Sequence, residues 1–212
     1  MSERYAVVIG DMIGSRGLEG RSAIQETLRA LLARISAGRG DLASPFTLTL
    51  GDEFQAVYRQ GDRVFHDAVD ITAALHPVRL RLAVGVGEIV TAINPHQALG
   101  MDGPAFHRAR EAINGLRERG QFFCLSGPPE FEDACRLSNH VLDLIGEVSR
   151  PWKTNRWFVL SGLMRGEDVQ TIHRQLRISP VAVYKNVHAG MLAPMLGIFR
   201  ELAKVLPKAL VP

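Results

Sequence analysis

Two aspartates hold the positions from which this 212-residue chain could do chemistry. Asp11 follows an apolar, β-branched run, Tyr5-Ala6-Val7-Val8-Ile9-Gly10, and opens a turn-rich segment, Met12-Ile13-Gly14-Ser15-Arg16-Gly17. Asp52 follows Gly51 at the tip of a hairpin whose arms are Phe46-Thr47-Leu48-Thr49-Leu50 and Glu53-Phe54-Gln55-Ala56-Val57-Tyr58. In a sheet where the first strand lies beside that hairpin, the two carboxylates approach one another. Ionised carboxylates at close range repel unless a cation neutralises them. Hard divalent ions such as Mg2+ are held by one or two carboxylates plus phosphate oxygens, so the pair points to a metal–nucleotide site. Each aspartate also has a purely structural reading, Asp11 as a turn cap and Asp52 as a favoured hairpin residue.

A second constellation lies near the C-terminus. Trp157, Phe158, Val159, Leu160, Leu163 and Met164 read as a supporting helix ended by Gly166. Residues 167–176 follow as a helix with Val169, Ile172 and Leu176 inward, and Arg177-Ile178-Ser179 makes a turn. Ser179 caps a third helix over residues 180–190, with Pro180 at the first position, where its missing N–H costs nothing. The pattern matches helix-turn-helix segments that lay the second helix in the DNA major groove. Tyr184, Lys185 and Asn186 are the candidates for base or phosphate contact, with Arg174, Arg177 and the capping Ser179 beside the backbone. Two features favour a plain helical hairpin instead: Arg177 stands where a turn glycine is usual, and His173 where a small residue lets helices cross closely. A single motif of this size binds weakly, so a homodimer is expected, with the apolar stretch 191–206 as one candidate dimerisation helix.

The elements that must position these groups follow from periodicity. Ile24, Leu28, Leu31, Leu32 and Ile35 share one helical face, as do Val64, Phe65, Ala68, Val69, Thr72 and Leu75, and again Phe106, Ala109, Ile113 and Leu116. Leu80, Leu82, Val84 and Val86 alternate as a strand, and residues 121–125 close the series. The resulting fold class is α+β, a mostly antiparallel sheet with helices on one face. A helix over residues 129–148 ends at Pro151, which puts a boundary between residues 1–149 and a small all-α part, 150–212. Asp102 and Pro104 read as the cap and first turn of the third helix. Gly85-Val86-Gly87 is too short for a phosphate loop, and Glu88, His107 and Arg108 are weaker anion or cleft candidates.

Charge divides at the same boundary. Residues 1–149 carry 15 Arg, no Lys and 19 acidic residues; residues 150–212 carry 10 basic and 3 acidic ones. A basic tail behind an acidic body suits a polyanion partner for the tail. The composition, 46% hydrophobic and 22% charged, is that of a globular protein, and no apolar run approaches a membrane span. The N-terminus lacks the shape of a signal peptide, and Cys124 and Cys135 have no disulfide-framework or metal-ligand spacing. A cytoplasmic location is expected.

The segments around Asp11, Leu50-Gly51-Asp52-Glu53-Phe54 and Arg81-Leu82-Ala83-Val84-Gly85-Val86-Gly87-Glu88-Ile89 resemble, in order, the motifs of class III nucleotide cyclase and GGDEF-type palm domains. More closely, Val8-Ile9-Gly10-Asp11, Gly51-Asp52-Glu53-Phe54-Gln55 and the run from Leu99 to Arg110 resemble the SatD family, bacterial proteins that join a cyclase-like domain to a C-terminal helix-turn-helix. The resemblance implies a cyclase-like, ferredoxin-like palm domain in which Asp11 and Asp52 bind Mg2+ or Mn2+. It places the backbone of Met12, Ile13, Gly14 and Ser15, with Gly51 and Glu53, near metal and phosphates. Arg110 falls close to the cyclase arginine that steadies the transition state. Phe106 stands where cyclases carry Asn, Leu48 where adenylate cyclases carry a purine-reading Lys, and Leu50 where diguanylate cyclases need Gly. Preorganised charge is what makes phosphoryl transfer fast, and these losses remove part of it. Three functions are therefore in play. One is a DNA-binding regulator whose front domain binds a nucleotide or divalent metal as a signal. Another is a metal-dependent nucleotide-processing enzyme, cyclase-like or phosphohydrolase-like, with an accessory DNA-binding tail. The last is a structural or partner-binding protein.

Overall fold

The structure is a computed structural model that describes residues 3–14, 20–49 and 51–210. Five strands, β1 (Arg4–Met12), β2 (Leu42–Leu48), β3 (Glu53–Tyr58), β4 (Leu80–Glu88) and β5 (Phe123–Ser126), form one sheet in the order β2-β3-β1-β4-β5. The first four pair antiparallel, and β5 joins β4 in parallel, so the sheet is mixed. α1 (Arg21–Ser36) connects β1 to β2, α2 (Val64–Leu75) connects β3 to β4, and α3 (Pro104–Arg119) connects β4 to β5. After β5 a 3-10 turn (Pro129–Phe131) leads into α4 (Glu132–Ser149). Four helices complete the fold: α5 (Thr154–Met164), α6 (Val169–Leu176), α7 (Pro180–Ala189) and α8 (Leu192–Leu210).

Helices cover both faces of the sheet, which corrects the one-face expectation. β1 shows the reason: successive side chains on a strand point to opposite faces, and on β1 both sets are apolar. Tyr5, Val7 and Ile9 pack with Ala105, Ala109, Ile113 and Leu116 of α3. Ala6, Val8 and Met12 belong to a larger core with α1, α2 and α4–α8. That second core is continuous from the sheet to Val183 of α7 and Leu210 of α8. The stretch expected as a dimerisation helix spends its apolar face inside the chain: Leu192, Met195, Phe199, Leu202 and Leu206 are all buried.

Two close approaches set the geometry around β1 and α3. Phe54 lies across Gly10, where an added Cβ would stand 2.7 Å from a ring carbon. α3 rests almost backbone-on-backbone against β4, because a Cβ on Gly85 would fall 2.9 Å from the Ala109 Cα and closer still to the Ala105 carbonyl oxygen. The Gly85-Val86-Gly87 pattern is thus a seat for a helix. Among the described residues no helix is long and apolar enough to cross a membrane. Cys135 is buried and Cys124 half-buried, and both are free thiols.

Candidate functional site: an arginine–carboxylate row and a basic helical face

Asp11 stands opposite Glu53 on β3 and opposite Arg81 on β4, so three charged residues form one row across three strands. Residues directly opposite share a face, and this row extends the Tyr5, Val7, Ile9 side, beneath α3. From α3, two arginines reach down seven residues apart, on one helical face. Arg117 Nε donates to Asp11 Oδ2 (2.8 Å) and its Nη2 to Glu53 Oε2 (3.3 Å). Both Nη atoms of Arg110 donate to the Glu53 oxygens, at 2.6 and 2.8 Å. Arg81 Nη1 reaches Asp11 Oδ1 at 3.4 Å, while its Nε is buried with no hydrogen-bond partner. Three guanidiniums thus face two carboxylates, with the buried Arg81 Nε left without a partner.

Burial pushes the Glu53 carboxyl up, but Arg110, Thr49 and Arg117 outweigh it and hold the group below the usual carboxylate range. A depressed pKa stabilises the fold above the unfolded value, about 4.3, and that contribution is lost as pH falls through the folded value. Arg110 is nearly half exposed, so water screens the pair and its contribution is about 0.2–1 kcal/mol. Arg110→Gln is therefore expected to lower stability slightly at neutral pH. In urea titrations over a pH series, the difference from the parent should vanish as Glu53 protonates.

The cross-strand partner of Asp11 is Glu53, whereas Asp52 sits one residue on, in the turn, with its carbonyl accepting from Met12 N at 3.3 Å. Gly51 takes the left-handed conformation (φ 67°) that the turn needs. Ile13 N donates to Arg79 O at 2.8 Å, Gly14 follows at φ 73°, and Ser15 lies outside the described residues. With both its oxygens accepting from guanidiniums, the Asp11 carboxylate as arranged does not fit a divalent ion. Other candidates are spent locally. Arg108 Nη1 donates to Val86 O (2.8 Å), and His107 pairs with Asp102 (2.7 Å). Asp102 is not the helix cap: Gly103 holds that position at φ 148°, and Asp102 Oδ1 accepts from its N–H. Arg81 and Arg117 were missed from sequence. Arg81 alternates like an outward-facing strand residue, and only the seven-residue spacing of Arg110 and Arg117 hinted at a shared purpose.

At the C-terminal end, Asp168 caps α6 by accepting from Thr171 N, and Ser179 caps α7 by accepting from Ala182 N. Arg177 adopts the left-handed conformation (φ 53°, ψ 39°) at the turn, the backbone state a glycine would supply there. A close approach occurs instead between α5 and α6, where a Cβ on Gly162 of α5 would stand 2.9 Å from Ile172. Val181, Tyr184 and Lys185 are exposed on one side of α7, and Arg174 and Arg177 are exposed beside them. Asn186 is different: half-buried, its Nδ2 donates to Ala182 O (2.9 Å) and its Oδ1 accepts from Arg156 Nε (3.4 Å). A cap of this kind is worth about 1 kcal/mol. Ser179→Ala is therefore expected to lower the unfolding free energy by about that much and to fray the start of α7, read by amide exchange at Ala182.

No curated protein matches the chain. Among solved structures, a regulator of polyketide synthase expression from Bifidobacterium adolescentis is similar at 14% identity, with a TM-score of 0.29, over 97% of this chain and 80% of that one. The model of the SatD family matches residues 5–189, nearly the whole chain, and the protein belongs to the SatD family.

Proposed function

We propose that this protein is a DNA-binding regulator in which α6, the turn and α7 form a helix-turn-helix, and the sheet domain takes an anionic, nucleotide-class signal. The observation that carries the reading is the α6–α7 geometry. Two capped helices are joined by a left-handed turn, and the exposed side of α7 presents Val181, Tyr184 and Lys185. The excess of basic over acidic residues after residue 149 supports it, since phosphate contacts supply most non-specific DNA affinity. In this reading Tyr184 and Lys185 reach base edges or phosphates, Arg174 and Arg177 hold the backbone, and Ser179 and Asn186 set the pose of α7. Pairing of two chains would supply the second half-site that a motif of this size needs.

For the front domain, the support is the unpartnered Arg81 Nε beside Arg110 and Arg117. Phosphate oxygens would exchange for Asp11 and Glu53 on these guanidiniums, with the backbone near Met12, Ile13, Gly14 and Gly51 closing around them. The test of the DNA reading is selection from a randomised duplex pool by the full chain. Wild type should enrich a defined sequence, and Lys185→Ala or Tyr184→Ala should weaken binding by about 1–3 kcal/mol where the side chain reads a base. A pool that stays random contradicts sequence-specific binding. Nucleoside triphosphates with and without Mn2+ decide the front domain. A thermal shift lost in Arg117→Gln supports the signal site, and phosphate or pyrophosphate release transfers the assignment to a nucleotide-processing enzyme.

A further inference from the structure

Where the sheet domain meets the C-terminal helices, a cavity of about 120 Å3 lies between β4, α2, α4, α5 and α8. Its walls are mostly apolar: Val69, Leu82, Ile145, Trp157 and Phe199 line it, and Phe122 stands at its mouth. Apolar cavities of roughly 150 Å3 accept a benzene-sized molecule without being filled by water. The mouth has a different chemistry. The guanidiniums of Arg79 and Arg150 lie over the Phe122 ring, each 5.5 Å from its centroid. Arg150 is paired with Glu147 at 2.5 Å, while the Arg79 guanidinium forms no salt bridge among the described residues and has its ring contact with Phe122. A guanidinium fork set over an aromatic ring suits a planar carboxylate. The site is joined to α7 by one helix: Trp157 of α5 lines the cavity, and Arg156 beside it donates to Asn186 of α7.

We propose that this cavity is an effector site for a single aromatic ring carrying a carboxylate, and that its occupant is relayed through α5 to α7. The effector role rests on the DNA-binding reading; the binding site itself does not. A ligand shifts α7 only if it favours one arrangement of α5 over another, and Trp157 is the side chain through which it would do so.

The test uses the full chain, with benzoate and toluene as probes, followed by calorimetry and by the emission of Trp152 and Trp157, the two tryptophans of the chain. Benzoate is expected to bind one-to-one and to change the emission. Thr72→Met places bulk in the cavity from a half-buried position, and should weaken both probes by at least about tenfold. Arg79 is exposed, so Arg79→Gln spares the fold; it should weaken benzoate by about fivefold or more and leave toluene unchanged. Absence of saturable binding by benzoate, or binding indifferent to both variants, overturns the site. Benzoate at saturation should change duplex affinity by about fivefold or more, the low end of typical couplings. Unchanged affinity with benzoate bound overturns the relay alone. If no duplex binds at all, the DNA reading fails, and the calorimetric arms still decide the cavity.

Discussion

Gly85→Ala is expected to cost about 3 kcal/mol or more, the upper end for overpacking, because the new methyl meets backbone rather than a side chain that can turn away. The carbonyl oxygen of Ala105 and the amide nitrogen of Ala109 both lie inside contact distance of that Cβ, and the Ala109 Cα is 2.9 Å from it. α3 can respond only by lifting from β4 as a unit. That movement carries Arg110 and Arg117 away from Glu53 and Asp11, so stability and the arginine–carboxylate row should fail together. For a chain of this size, 3 kcal/mol corresponds to a fall in midpoint on the order of 6–12 °C. Calorimetry checks the magnitude. Gly197→Ala is the control: nothing lies within 4 Å of its would-be Cβ, and it sits within α8, where Ala is expected to stabilise by about 0.5–1 kcal/mol.

Asp67→Ala is expected to be comparably damaging, by a different mechanism. Asp67 is buried on α2, where its Oδ2 accepts from the Tyr58 hydroxyl at 2.6 Å and from Arg39 Nη1 at 2.5 Å. Arg39 also binds Asp41, so α2, β3 and the segment leading into β2 are tied at one point. Burial raises the Asp67 carboxyl above its usual range, against the pull of Tyr58 and Arg39, and pushes the Tyr58 hydroxyl well up. Truncation leaves the half-buried Arg39 with one carboxylate in place of two and the buried tyrosine hydroxyl unpaired, a loss of about 3 kcal/mol, the low end for breaking a buried pair. Urea unfolding measures it. Asp67→Asn keeps an acceptor for Tyr58 and should lose less, whereas equal losses would mean that the charge, and not the hydrogen bonding, matters.

Amphipathic periodicity was a sound guide to elements and a poor one to faces. α2 begins at Val64 and ends at Leu75 as its stripe indicates, and the Ser179-Pro180 start of α7 was legible because cap and first-turn chemistry are local. The one-face sheet was misjudged because β1 is apolar on both sides, and an unbroken apolar run carries no alternation from which to assign a second layer. Asp11 was legible as a strand-end carboxylate, yet its true neighbour depends on register. A shift of one residue exchanges Asp52 for Glu53, and the hairpin sequence alone does not settle which of the two lies opposite. Arg117 and Arg81 emerged only once α3 was laid across the sheet. Arg177 was read as a departure from the glycine expected in the turn; the structure places it in the left-handed conformation all the same, held between the caps on either side. The Asp67–Arg39–Tyr58 cluster left no trace in the pattern, since its members lie on a helix, a strand and a loop far apart in sequence.

The most direct measurement is the affinity of the full chain for duplex DNA as a function of salt, by fluorescence anisotropy, for wild type and for Arg174→Ala, Arg177→Ala and Lys185→Ala. Affinity should fall steeply with salt, and each variant that loses a phosphate contact should reduce the slope of log affinity against log salt by about 1. An affinity that is absent, or present but unmoved by all three substitutions, would contradict the assignment of α6 and α7 as the DNA-binding face.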